Sequence, residues 1–172
     1  MEKVIIETER LIIRELEDSD CRGIFRLDSN PEVHRYLGGK PLTTEKQASE
    51  VIAFIRKQYQ EHGIGRWAVI QKESNEFIGW SGFKLIKVMT NNHIDYLDIG
   101  YRFVQEAWGQ GYATESGKAC LQYAKTHLTN YSIHAISDIN NLDSKKVLEK
   151  LGFEAKEIFD YENQLHFWYH LR

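Results

Sequence analysis

Gly109 and Gly111 stand in the run Trp108-Gly109-Gln110-Gly111-Tyr112-Ala113-Thr114-Glu115, between an apolar strand-like stretch, Leu97 to Val104, and a helix-like stretch that ends near Leu128. A strand that feeds a glycine turn, which then opens a helix, can hold phosphate. Glycine lets the chain turn sharply and lets a ligand approach the backbone. The first helical turn leaves N–H groups without intrahelical partners, and the helix dipole favours negative charge there. Gly109 to Ala113 therefore offer N–H donors for a pyrophosphate, and Thr114 adds a hydroxyl. Two familiar phosphate loops do not fit. A nucleoside-triphosphate loop needs Lys and then Ser or Thr after its last glycine, where this chain has Tyr112 and Ala113. A dinucleotide fingerprint needs Gly or Ala where Thr114 stands, and a parallel βαβ unit near the N-terminus.

Asn141-Leu142-Asp143-Ser144 is a second polar group, ahead of Val147-Leu148-Glu149-Lys150-Leu151-Gly152-Phe153. As residue chemistry it is a helix start, with Asn141 or Asp143 as cap and Ser144 in the first turn. Asp98 lies on an apolar strand, where a carboxylate is either a solvated side chain or a base. Glu162, in a turn near the C-terminus, is a weaker base candidate. The seven histidines show no metal-ligand spacing, and no metal site is expected. Trp67, Trp80 and Trp168 read as core, whereas Trp108, adjoining the glycine turn, is either part of the cofactor-binding turn or packing beneath it.

The elements that would position these groups alternate between helix and strand. Leu11 to Glu15 reads as a strand. Ser19 or Asp20 caps a short helix through Leu27, and Asn30 followed by Pro31 starts another that runs to about Leu37. Thr44 and Gln47 make a capping box for a longer helix with an apolar stripe of Ala48, Val51, Ile52, Ile55 and Tyr59, stopped at Gly63. Trp67 to Gln71, Phe77 to Val88 and Tyr96 to Val104 read as strands joined by short polar turns, hence antiparallel. Cys120, Leu121, Ala124 and Leu128 mark the buried face of the helix after the glycine turn. Ser132 to Ile139 is a strand that can pair in parallel with Tyr96 to Val104 across that helix. Asp143 to Leu151 forms a short helix, and Phe153 to Phe159 with Leu165 to Leu171 a last hairpin around Glu162-Asn163.

Composition fits one domain over residues 1–172, large enough to bury a core. A net charge of -3 argues against a general nucleic-acid or membrane-surface binder. No apolar run approaches the roughly 20 residues that span a bilayer, and Met1 to Glu7 is too short and charged for a signal peptide. Two cysteines, Cys21 and Cys120, both expected in helices, fit a reducing cytoplasm.

The chain resembles the GNAT superfamily of acetyl-CoA-dependent N-acetyltransferases, and within it the RimJ/RimL-like ribosomal-protein N-terminal acetyltransferase group. The resemblance runs from Thr8-Glu9-Arg10-Leu11-Ile12-Ile13-Arg14 through Asn30-Pro31-Glu32-Val33, Tyr36-Leu37 and Phe77-Ile78-Gly79. Its most specific pieces are Asp98-Ile99-Gly100-Tyr101 leading into Trp108 to Glu115, and Asn141 to Phe153. It implies an α/β (α+β) fold with a mixed, mostly antiparallel central sheet, a splayed parallel strand pair and flanking helices. It implies acetyl-CoA as cosubstrate, with its pyrophosphate on the glycine turn and its pantetheine arm in the splay, bound by backbone groups of Phe103 and Val104 and by Asn141. Ser144 would stand near the sulfur as a proton donor, and Asp98 would be the base, at a position where several such enzymes carry Glu. The expected donor for the thioester oxyanion is a backbone N–H at the same strand end. Two departures matter: the Tyr that many members carry on the last helix is Leu148 here, and Glu106 replaces the usual Arg or Gln before the glycines.

The implied reaction transfers acetyl to a primary amine by direct attack in a ternary complex, with a peptide α-amine as the first expectation for acceptor. An α-amine, with a pKa of roughly 7.7–8.0, is partly neutral near pH 7, whereas a lysine side chain near 10.4 is not. The alternatives are an enzyme acting on a small-molecule amine and an idle acyl-CoA-binding domain. A monomer or a homodimer is expected, with no nucleic-acid or membrane partner.

Overall fold

The computed structural model describes residues 3–172. Met1 and Glu2, part of the segment judged against a signal peptide, lie outside the described residues. Eight strands form one sheet: β1 Val4–Glu7, β2 Leu11–Arg14, β3 Arg66–Gln71, β4 Glu76–Ile86, β5 Tyr96–Phe103, β6 Ile133–Asp138, β7 Phe153–Tyr161 and β8 Gln164–Leu171. Their order across the sheet is β1-β2-β3-β4-β5-β6-β8-β7. Every neighbouring pair is antiparallel except β5 and β6, which run parallel. The helices are α1 Cys21–Asp28, α2 Glu45–His62, α3 Tyr112–His127 and α4 Leu142–Lys150. The expected mixed sheet with one parallel pair is present. Among the described residues no helix is long and apolar enough to cross a membrane.

Side-chain contacts fix which helix lies on which face. The Trp67 ring of β3 meets Tyr123 of α3 edge-on at 5.4 Å, and the Tyr101 hydroxyl of β5 reaches Ser144 of α4. Arg102, the next residue of β5, pairs instead with Asp28 at the end of α1. Side chains alternate along a strand, so Tyr96, Asp98, Gly100 and Arg102 share the face of α1, and Ile99, Tyr101 and Phe103 share that of α3 and α4. Trp67, Phe83, Leu97 and Tyr169 are buried in the core, as are Trp80 and Trp168.

Local signals shape several elements. The Thr44 hydroxyl accepts from the Gln47 N–H, the Gln47 side chain accepts from the Thr44 N–H, and Gly63 ends α2 in the left-handed conformation. Glu162 and Asn163 both take positive φ in the two-residue turn of the β7–β8 hairpin, the geometry that matches strand twist.

Three expectations are corrected. No helix follows Pro31; residues 31–38 form consecutive turns. Asn30 does cap them, its Oδ1 accepting from the Glu32 N–H, but the later bonds mix three-, four- and five-residue spacings and Gly38 and Gly39 turn left-handed. Neither Ser19 nor Asp20 caps α1 with its side chain. A short 3₁₀ turn, Asp18–Asp20, precedes that helix, and the Asp20 carboxylate accepts from the Glu17 N–H at 2.8 Å and from Arg14 at 2.7 and 2.8 Å. β1, which lies outside the strands expected from the sequence, pairs with β2.

Candidate active site

The glycine turn joins the end of β5 to α3. Gly109 and Gly111 take φ of +72° and +83°, which a side chain would strain. A Cβ at Gly109 would meet nothing within 4 Å, and one at Gly111 only the Arg10 guanidinium at 3.6 Å, so the surface outside both glycines is open. The first helical bond runs from the Glu115 N–H to the Gly111 carbonyl, and no side chain caps α3. The N–H groups of Tyr112, Ala113 and Thr114 are therefore free of intrahelical partners, whereas Thr44 and Asn141 cap α2 and α4.

Side chains brace this turn from behind. Gln110 donates to the Glu106 carbonyl at 2.8 Å and offers its own carbonyl to Arg10. Arg10 also pairs with Glu115 at 2.6 Å and lies 4.4 Å over the Tyr112 ring, whose hydroxyl accepts from Gln71. Tyr112 is buried, so only its backbone faces outward. Glu106 points to solvent near Arg26 at 3.5 Å, and a carboxylate there gives phosphate no help. Trp108 is not packed beneath the turn. It is 46% exposed, and its indole N–H donates to the Phe103 carbonyl at 2.8 Å, tying the turn to the end of β5.

The sheet opens between β5 and β6. Among the described residues they pair only at Leu97–Ile133 and Asp98–His134. The Leu97 N–H points to the Ser132 carbonyl, and alternation turns the N–H groups of residues 99, 101 and 103 the same way. Past Asp98 the N–H groups of Tyr101 and Phe103 thus face a gap. Val104 does not share this role: its N–H is held by the Ile78 carbonyl and its own carbonyl by the Ala107 N–H. The expectation that Val104 offers free backbone groups is corrected on that ground, and Tyr101 takes its place.

On the α4 side of the gap, Asn141 accepts from the Ser144 N–H at 3.1 Å, so the capping role is real. Its Nδ2 has no partner among the described residues. Ser144 Oγ lies 3.1 Å from the Tyr101 hydroxyl, which also reaches the Ser144 carbonyl at 3.2 Å. Burial pushes the Tyr101 phenol up, well beyond neutral pH, so it stays protonated. Leu148, one turn along α4, is buried. A tyrosine hydroxyl thus arrives at Ser144 from the strand although the helix has none. The sequence carried no signal for this, since Tyr101 and Ser144 are 43 residues apart.

On the α1 side, Asp98 is not a freely solvated strand carboxylate. The residue is partly buried, and its Oδ1 is shut off from solvent with no hydrogen-bond partner. Burial raises its pKa to about 7, against the opposing pull of Lys84 and Arg66. A carboxyl poised near neutrality can take up a proton in catalysis. Asp98 and Ser144 therefore stand on opposite faces of the sheet, with the gap beside both. Glu162 is exposed in its hairpin turn. His93, His134 and His170 gather around Trp168, with ring centroids 4.7 to 6.3 Å from that indole, and among the described residues no group of His, Cys, Asp or Glu could hold a metal.

A family model described as an acetyltransferase (GNAT) domain matches residues 10–154. The chain is 32% identical over 154 residues to the uncharacterized N-acetyltransferase YoaA of Bacillus subtilis, covering 90% of this chain and 85% of that one. Its fold is shared by a coenzyme A complex of RimL, a ribosomal L7/L12 α-N-protein acetyltransferase, at TM-score 0.78 and 15% identity over 98% of both chains. It is also shared by a spermidine N-acetyltransferase from Vibrio cholerae in complex with CoA and spermine, at TM-score 0.74 and 19% identity over 95% of this chain and 96% of that one.

Proposed function

This chain belongs to the GNAT acetyltransferase family, and from that premise we propose that it is an acetyl-CoA-dependent N-acetyltransferase whose two substrates meet through the gap between β5 and β6. The observation that carries this reading is the placement of Asp98 on one face of the sheet and the Tyr101–Ser144 hydroxyl pair on the other, beside the strand pair that parts after Asp98. Acetyl-CoA supplies the activated acetyl group. Its pyrophosphate fits the uncapped start of α3 at Gly109 to Ala113, with Thr114 able to add a hydroxyl, and its pantetheine amides fit the backbone of Tyr101 and Phe103 and the Nδ2 of Asn141. Trp108 keeps β5 and the glycine turn in register.

The acceptor amine comes from the α1 face. Asp98 takes the ammonium proton, directly or through one water, since Asp is a carbon shorter than Glu. The free amine attacks the thioester carbonyl in the ternary complex. An N–H of Tyr101 or Phe103 stabilises the oxyanion. As the carbon–sulfur bond breaks, Ser144 gives a proton to the sulfur and is resupplied by Tyr101, which regains its own proton from water, while the attacking nitrogen loses its second proton to water and the amide is left neutral. A thiol has a pKa near 8.5, so modest acidity suffices.

The acceptor is an α-amine, peptide-borne in the first instance, because a base with a pKa of about 7 suits an amine already partly neutral near pH 7. The test offers two matched peptides with acetyl-CoA, one with a free N-terminus and no lysine, the other N-terminally blocked with one lysine. Faster thiol release with the first is expected. Faster acetylation of the blocked peptide overturns the acceptor assignment and leaves the use of acetyl-CoA standing.

A further inference from the structure

Resting on Asp98 as the group that receives the amine proton, a second feature beside it bears on what the amine is attached to. Arg66 opens β3, and its side chain has no hydrogen bond and no ion pair among the described residues. Its Nε is removed from solvent without a partner. A guanidinium in that state is costly unless something pairs with it. An aromatic ring lies beside it: the Arg66 Cζ is 5.5 Å from the Trp80 centroid, and Arg102 lies by the same ring at 5.3 Å; Tyr59, Asp28 and Asp98 are also near enough to act on its charge without bonding to its side chain. Arg102 is satisfied, holding Asp28 at 2.6 Å. His34, buried beside Asp28 at 3.6 Å, leaves both ring nitrogens unpartnered. Burial lowers its pKa first, and Arg102 lowers it further, so it is a neutral imidazole with one donor and one acceptor to offer.

The register places these residues on one face of the sheet. Arg66 pairs with Gly82, and Gly82 with Gly100, so the row of the sheet running from Arg66 to β5 has no side chain of its own. The Trp80 ring leans over Gly100, close enough that a Cβ there would sit 3.2 Å from it. One pleat further along, Lys84 pairs with Asp98. Arg66 and Asp98 are near enough to shift each other's ionisation. Strands about 4.8 Å apart place Arg66 two strands, roughly 10 Å, from β5, a span its side chain largely covers. On this stretch of the face stand three cations, Arg66, Lys84 and Arg102, against two carboxylates, Asp28 and Asp98. The surplus is one positive charge even with Asp98 ionised.

We infer that the acceptor is an amine bearing a carboxylate a few bonds away, and that Arg66 receives this carboxylate while Asp98 receives the amine. Guanidinium and carboxylate match as a planar, two-pronged pair. The partnerless Arg66 and the orphaned Asp98 Oδ1 are then the two ends of one subsite, and His34 can donate to the same anion. Two sources present this chemistry: the α-carboxylate of a free amino acid, and an acidic side chain next to a peptide's N-terminus.

The test compares each acid with its amide. Alanine is set against alaninamide, and the peptide Ser-Glu-Ala-amide against Ser-Gln-Ala-amide, with thiol release from acetyl-CoA as readout. In at least one pair the acid member is expected to have a kcat/KM about tenfold higher or more, and the pair that shows it identifies the source. Arg66→Gln brings that ratio to near one, and Arg66→Lys restores part of it. Calorimetry of N-acetylalanine and the N-acetylated acidic peptide, each against its amide, on protein saturated with coenzyme A reads the same preference without turnover. Absence of thiol release with every amine overturns the proposed reaction, while the calorimetric preference and its loss in Arg66→Gln still judge the subsite. Equal use and equal binding of acid and amide in both pairs, or a preference that survives Arg66→Gln in a folded variant, overturns the inference.

Discussion

Replacing Asp98 by Asn has opposite effects on activity and on stability if the carboxyl is the base. The ordinary carboxyl value of 3.8 is raised to about 7 in the fold, chiefly by burial. That difference sets a ceiling of about 4 kcal/mol on the cost of holding the carboxylate ionised in the native state. The residue keeps partial contact with solvent, so about half of that, ~2 kcal/mol, is the expected share. The sign follows from proton linkage. Above about pH 7 the wild-type fold carries the buried charge, and Asn removes the penalty. Between about 7 and 3.8 the native carboxyl takes its proton first and the penalty fades. Below 3.8 both states are protonated and no difference remains. Differential scanning calorimetry at pH 8 should therefore show Asp98→Asn melting higher by roughly 4–8 °C for a domain of this size, with the gap closing by pH 4. Over the same range the wild-type kcat should fall as pH drops through about 7, and the variant should lose that limb with turnover reduced by roughly 10²-fold or more. A variant that is stabilised at pH 8 yet turns over at the wild-type rate with the wild-type pH profile would refute Asp98 as base. A gap over the wild type no larger at pH 8 than at pH 4 would refute the buried-charge argument beneath it.

Gly111→Val should leave the fold standing, since its φ of +83° adds strain of roughly 1–2 kcal/mol without a clash. It should weaken acetyl-CoA binding by about tenfold or more, because the branched side chain occupies the approach to the N–H groups; an unchanged dissociation constant in calorimetry contradicts the pyrophosphate placement. Ser144→Ala should lower kcat by up to roughly 10²-fold with acetyl-CoA affinity little altered. Tyr101→Phe should lower kcat less, by resupply alone; single-turnover thiol release at the wild-type rate in both would assign leaving-group protonation to solvent.

The glycine turn, the Thr44–Gln47 capping box, the Gly63 stop and the parallel crossover from β5 to β6 were legible in the sequence, because each depends on residues a few positions apart or on hydrophobic spacing. What stayed hidden was tertiary. Asp20 has the makings of an N-cap for α1, but its carboxylate is shared between Arg14 of the neighbouring strand and the Glu17 N–H behind it. Pro31 after Asn30 looks like a helix start, yet Gly38 and Gly39 and mixed hydrogen-bond spacings leave only turns. Trp108 beside the glycine turn fits either a cofactor contact or packing, and its indole N–H holds the Phe103 carbonyl. Arg10 braces the glycine turn from about 100 residues away, and the Tyr101 hydroxyl reaches Ser144 from the facing strand. Val104 was named for a backbone role that Ile78 and Ala107 already occupy. The isolated Arg66 could not be seen at all, since a missing partner shows only once every neighbour is placed.

The most direct test of the reaction is a paired measurement on the wild-type protein: calorimetric titration with acetyl-CoA, then thiol release and mass spectrometry of the acceptor when an α-amine peptide or amino acid is added. Saturable acetyl-CoA binding, with thiol released in equal amount to N-acetylated acceptor, is the predicted result. Saturable binding with no thiol released to any α-amine would contradict it, and would make the chain a domain that holds acyl-CoA without using it.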